Sequence, residues 1–158
     1  MSRISYNEPE DDADFLRVCA FEANTKRHLK GKKGQAALKE LEAALIALPE
    51  KRLVYSKFVV RHGEADDIGE VCALGALALK RCMDKGLTRS EAIKKIEQDG
   101  PDPDDEGWGA TENTAEYLKV KVNFAWEVME RNDEYGGPTP EERYKRVLAW
   151  VREQIKVA

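Results

Sequence analysis

Six apolar residues, Ala37, Leu38, Leu41, Ala44, Leu45 and Leu48, recur at spacings of three and four until Pro49 cuts the series off. That period places all six on one face of an α-helix, and such a face must be covered by another apolar surface. A second run, ALGALAL at residues 73–79, is apolar on every side, which suits a helix enclosed by its neighbours. One stripe to cover and one helix to enclose point to a helical bundle. The 158 residues, 42% of them hydrophobic, are enough to build its core without cross-links.

The other segments fit around that pair. Residues 12–29 read as a helix with Phe15, Val18 and Cys19 on one face, and the acidic Glu8–Asp14 stretch suits its first turn. RLVYSKFVV at 52–60 is rich in β-branched and aromatic residues and reads as a strand. RHGEADDIG would be its turn, and Glu70–Cys72 a short return strand. Gly86 ends the central helix as a C′ residue. Thr88 and Glu91 form a capping box for the next helix, and DGPDPDDEGWGATEN carries every loop signal. Leu118, Val122, Ala125 and Met129 mark a further helix that stops near NDEYGG. Thr139, Pro140 and Glu142 open the last one, with Tyr144, Val147, Leu148, Val151 and Ile155 on its buried side.

The expected fold is therefore mostly α (α+β): a single domain over 1–158, a bundle of about five or six helices with one small β-hairpin near residues 53–72. Residues 1–11 are expected outside the ordered fold, and 99–113 as a long acidic loop.

GEVCALGAL at 69–77 raises the sharpest chemical question. A nucleophilic cysteine needs a thiolate, made by a cation, a protonated histidine or a helix N-terminus. Cys72 sits near a helix start and His62 lies across the proposed turn, but Asp66, Asp67 and Glu70 crowd the thiol with negative charge. With the apolar helix behind it, Cys72 reads as a packing residue. Gly75 costs about 1 kcal/mol against alanine inside a helix. Close approach of another backbone or a bulky ring best explains it. The alternative is a ligand or catalytic pocket assembled from His62, Cys72, Asn132 and Asp133.

Other chemistry finds less footing. Two histidines and three cysteines without a CxxC pair offer no zinc site, and no cofactor motif is present, so no cofactor is expected. An EF-hand register over 102–113 would place Asp102, Asp104 and Glu106 at positions 1, 3 and 5. Asn113 at position 12 and Gly109 at position 8 break it, so a solvated acidic loop is the reading here and calcium the alternative. The net charge of −4 argues against nucleic acid as a direct ligand, although Lys26, Arg27, Lys30, Lys32 and Lys33 form a local basic patch. Residues 114–130 resemble a helix-turn-helix only loosely. Glu127 and Glu130 would repel phosphate, and packing of a helix pair is the better reading. An odd cysteine count, no apolar leader and no apolar run long enough to span a bilayer favour a cytoplasmic protein off the membrane.

What remains is interaction. Asp102, Asp104, Asp105 and Glu106 concentrate negative charge beside Trp108, in a loop with little core to hide a tryptophan. Gly69, Cys72, Leu74, Gly75 and Ala76, then Trp126, Asn132 and Asp133, then Thr139 and Glu142, complete a wider pattern. With them the chain resembles a family of small proteins of bacteria, phages and prophages. That family carries a G-x-x-C-x-L-G-A core, a W-x5-N-D segment and a capped C-terminal helix. The resemblance spans about two thirds of the chain and implies no reaction. The expected function is a non-enzymatic protein-interaction module that inhibits a host defence or nucleic-acid-handling complex through acidic mimicry.

Overall fold

A computed structural model describes residues 12–63 and 68–156. The expectation of disorder over 1–11 and the acid pair Asp66 and Asp67 fall outside those residues. Seven helices run in chain order among the described residues: α1 (Asp12–Lys30), α2 (Lys32–Ala47), α3 (Ala73–Asp84), α4 (Arg89–Asp99), α5 (Gly107–Leu118), α6 (Val122–Asp133) and α7 (Pro140–Gln154). Two strands, β1 (Val59–Val60) and β2 (Glu70–Val71), pair antiparallel with Val59 opposite Val71 and Val60 opposite Glu70. The fold is mostly α with one small hairpin, as the hydrophobic pattern requires.

The stripe on α2 is covered, with Ala37 at its edge half-buried. Leu38, Leu41, Ala44, Leu45 and Leu48 are buried, and they meet α1, α3 and α7. Residues 73–79 of α3 are buried on every side of the helix, so α3 is the central element. One continuous apolar cluster joins it to Ile93 and Ile96 of α4, Leu118 of α5, Phe124 and Val128 of α6, and Val147 and Val151 of α7. At Thr88 the capping box forms in both halves, and its hydrogen bonds hold the Glu91 carboxyl below the ordinary carboxylate range. Thr139 caps α7 by accepting from the Glu142 amide, but the Glu142 carboxylate faces Arg146 at 3.6 Å instead of completing a box.

α1 and α2 meet almost without a connection. Gly31 interrupts the helix, and Gly34 lies so close to the end of α1 that a Cβ there would stand 1.9 Å from the His28 carbonyl oxygen. Gln35 ties this corner to the far end of the chain: its Nε2 donates to the carbonyls of Leu29 (2.7 Å) and Gln154 (2.9 Å).

Two expectations need correction. The nine-residue strand at 52–60 shrinks to Val59–Val60, because Ser56 takes a left-handed conformation (φ 59°) that no continuous strand allows. Ahead of that kink, Leu53 N–H donates to the Pro140 carbonyl (3.1 Å) and Val54 N–H to that of Val71 (3.0 Å). The acidic loop is also shorter than 99–113: α4 runs through Asp99 and α5 begins at Gly107, leaving 100–106. The extra helix α5 was hidden by its own composition. Thr111 and Thr114 are buried, and their hydroxyls donate to the carbonyls of Gly107 (3.4 Å) and Ala110 (2.8 Å), four residues back. Lys119 in the left-handed region (φ 57°) then separates α5 from α6, so the 114–130 stretch is a packed helix pair whose turn uses lysine in place of glycine.

Candidate functional site

Asn132, in the last turn of α6, is the best-connected residue of the 69–77 and 126–133 patterns. Its side chain is almost fully enclosed, at 2% exposure. Oδ1 accepts from the Ala73 amide (3.0 Å), the first N–H of α3, while Nδ2 donates to the Val54 carbonyl (3.0 Å) and to Asp133 Oδ1 (2.8 Å). Asp133 Oδ1 in turn accepts from the Ser56 amide at 3.0 Å, holding the left-handed kink. Three chain segments converge on one Asn-Asp pair. It is a latch between the start of α3, the end of α6 and the 54–56 bend.

Cys72 completes that junction from the other side. Its Sγ accepts from the Gly75 amide (3.4 Å) as the N-cap of α3, and its own amide donates to the Phe58 carbonyl (3.2 Å). Gly75 lies against the same Phe58 oxygen, which a Cβ would approach to 2.2 Å. His62 is turned toward Glu70, 2.9 Å away. Glu70 also receives Arg52 at 2.9 Å. The space between Cys72, Asn132 and Asp133 is a crevice of about 10 Å³, lined by Leu74, Val128 and Met129 and without His62. About one water fits there. The four residues therefore come together as two ties, His62 with Glu70 and Cys72 with the Asn132–Asp133 latch.

A larger cleft of about 190 Å³ opens on the other side of Cys72, roofed by residues 101–107 and walled by Phe58 and Met129. Cys72 is half-buried there, Cys19 exposed and Cys82 buried. A disulfide-exchange reagent on the native protein is expected to modify Cys19 first, Cys72 at least about tenfold more slowly, and Cys82 only on unfolding. Modification of Cys72 as fast as Cys19 would restore the nucleophile.

The roof is the acidic loop itself. Asp102, Asp104, Asp105 and Glu106 are exposed. The loop is braced from within: the Asp104 amide donates to Asp102 Oδ1 (2.9 Å), and Asn113 Nδ2 donates to Asp105 Oδ2 (2.9 Å). Lys57 Nζ reaches across to the Pro103 carbonyl (3.2 Å). Positions 6–12 of the calcium register lie in α5, and among the described residues no group of three or more His, Cys, Asp or Glu is gathered to hold a metal ion. Trp108 stands in the first turn of α5, 40% exposed. One side of its ring packs on Phe21 (centroids 5.6 Å, edge-on) and Trp126 (5.8 Å). It is both tucked in and on show.

The basic patch follows the α1–α2 corner. Lys26, Arg27, Lys30, Lys32 and Lys33 are exposed there, while burial and the charges of Lys121 and Lys33 hold His28 below the usual imidazole range. Arg27 and Lys30 lie in the last turn of α1, where cations complement the helix dipole.

One feature had no sequence signal. A groove of about 580 Å³ runs between α1 and the α6–α7 pair, lined by Phe21, Trp108, Trp126 and Trp150. Arg131 spans its floor, with its guanidinium 5.1 Å from the Tyr135 ring centre and 5.4 Å from that of Trp150. Trp126 and Trp150 suit core or rim equally in sequence, and only the crossing of three helices makes them a wall.

Among the described residues no helix is long and apolar enough to cross a membrane. Comparison of the chain with family models, curated proteins and solved structures gives no match.

Proposed function

We propose that the chain is a non-enzymatic protein-interaction module of phage or mobile-element origin. It belongs, on this reading, with the small bacterial and phage proteins it resembles and works in the cytoplasm. It seats a basic surface of a partner protein on the acidic loop and Trp108. The observation that supports this reading is their juxtaposition: four exposed carboxylates over 102–106, and two residues later a half-exposed indole. Phe21 and Trp126 fix the orientation of that indole, so little side-chain freedom is lost when a partner covers it. The carboxylates steer a cationic partner and select against acidic ones. In its most specific form the partner is a host defence or nucleic-acid-handling component whose phosphate-binding surface the loop imitates.

The test is capture from extracts of the native host, using the native chain beside Asp102→Asn/Asp104→Asn/Asp105→Asn/Glu106→Gln. The amides keep the oxygen acceptors that brace the loop and remove only its charge. A partner that binds the native chain is expected to bind the variant at least about tenfold more weakly, with less dependence on salt. Equal retention of that partner by both chains would overturn the proposal.

A second reading places a small ligand in the 190 Å³ cleft beside Cys72. That volume is below the roughly 300 Å³ at which pockets for drug-sized ligands begin, so the surface reading is preferred.

A further inference from the structure

The aromatic groove between α1 and the α6–α7 pair encloses two tryptophans whose polar atoms are unserved. Trp126 and Trp150 line it at 3% and 7% exposure. A buried indole N–H ordinarily finds an acceptor, yet among the described residues no hydrogen-bond acceptor meets either one. The charges of the lining set a second condition. Arg17, Lys26 and Arg131 stand against Glu22, Glu127 and Glu130, three cations against three anions. Arg131 is engaged with Glu127 at 3.3 Å, its guanidinium beside the rings of Tyr135 and Trp150, and Arg17 is engaged with Asp14 at 3.3 Å. An anion entering the groove would meet the carboxylates, and a cation would meet Arg131. The volume of about 580 Å³ falls inside the roughly 300–1,000 Å³ range of sites for small organic molecules.

We propose that this groove binds an uncharged, planar heteroaromatic molecule that carries hydrogen-bond acceptors. Its ring system packs among Phe21, Trp126 and Trp150, and its acceptors take the indole N–H groups of the two buried tryptophans. The walls are already ordered, so binding freezes little side-chain motion. Phe21 meets Trp126 edge-on with centroids 6.4 Å apart, and Trp108 adjoins Trp126 at 5.8 Å. No residue of the acidic loop lines the groove. The site shares only Trp108 with the proposed partner surface, and the variants below leave Trp108 in place, so each reading fails separately.

The probe is Nile red, an uncharged planar heteroaromatic dye with a carbonyl acceptor, titrated into the full chain. Saturable one-to-one binding is expected, with energy transfer from tryptophan to the bound dye. In heteronuclear NMR spectra the indole N–H signals of Trp126 and Trp150 should shift as the site fills, each signal identified by its loss in Trp126→Phe or Trp150→Phe. Trp150→Phe keeps a ring and removes a donor, and is expected to raise Kd at least about threefold. Val18→Trp fills the groove from a residue that is 38% exposed, and should raise Kd at least about tenfold. Val18 lies outside the core, so this variant keeps the test intact where Trp150→Phe disturbs packing; an unchanged circular dichroism spectrum verifies the fold of each. Ile46→Glu, exposed on α2, should leave Kd unchanged. Anionic anilinonaphthalene sulfonate and cationic acridine orange are each expected to bind at least about tenfold more weakly than Nile red. Absent or non-saturable binding would overturn the proposal, as would indole signals that stay in place. So would binding that the folded Val18→Trp or Trp150→Phe chain retains in full, or a charged dye that binds as well as Nile red.

Discussion

Asn132→Leu is expected to lower the unfolding free energy by about 3–5 kcal/mol, read as a fall in the urea midpoint at unchanged slope. Leucine fills nearly the same volume, so the cost is electrostatic. The Ala73 amide and the Val54 carbonyl both lose their partner at a side chain that is 2% exposed. Each such group costs about 1–3 kcal/mol when stranded. Ala73 N–H is also one of the unpaired donors that every helix start carries, here at the start of the most enclosed helix in the fold. Set against the roughly 5–15 kcal/mol total stability of typical domains, the loss is a large fraction. A loss under about 1 kcal/mol would mean that the latch is not a structural tie.

Gly75→Ala is expected to cost about 2–3 kcal/mol, although alanine is the better helix former by about 1 kcal/mol. The methyl would stand 2.2 Å from the Phe58 carbonyl oxygen and 3.0 Å from the Val71 Cβ. The first neighbour is backbone and cannot swing aside. The 57–60 segment would have to retreat, and with it goes the bond from the Cys72 amide to that same oxygen. Gly109→Ala is the matched control. It lies inside α5 with nothing within 4 Å of the added carbon, so propensity acts alone and stability should rise by about 0.5–1 kcal/mol. Thermal midpoints that move in opposite directions for the two substitutions would separate close packing from helix propensity.

Gly75 also shows what a sequence can reveal. An embedded glycine in an apolar helix demands a close neighbour, and the neighbour is the Phe58 backbone. The α2 stripe, the enclosed α3, the Thr88 capping box and the stop after Asn132 were legible for the same reason: each is a local pattern with one cheap physical solution. At that stop only Gly137 takes positive φ (92°). Gly136 is needed for space, since a Cβ there would meet the Asn132 carbonyl oxygen at 2.4 Å. The misses were non-local or masked by competing signals. Gly107 and Gly109 announce a loop, yet α5 forms because Thr111, Thr114, Ala115 and Leu118 find the core. Ser56 gives no sign that it will kink a strand-like run. Asn132 reads as an ordinary helix-stopping residue, because the amide it serves is 59 positions away.

The motif around Cys72 thus separates from the surface that carries the proposed function. Cys72, Gly75 and Asn132 hold α3, α6 and the hairpin together, and the contacts a partner would use lie on the acidic loop and Trp108. Calorimetric titration of the captured partner into Cys72→Ala and Trp108→Ala, both verified as folded, tests that separation most directly. The expected result is native affinity for Cys72→Ala and affinity lower by about tenfold or more for Trp108→Ala. Native affinity for Trp108→Ala, with binding lost in Cys72→Ala, would contradict it.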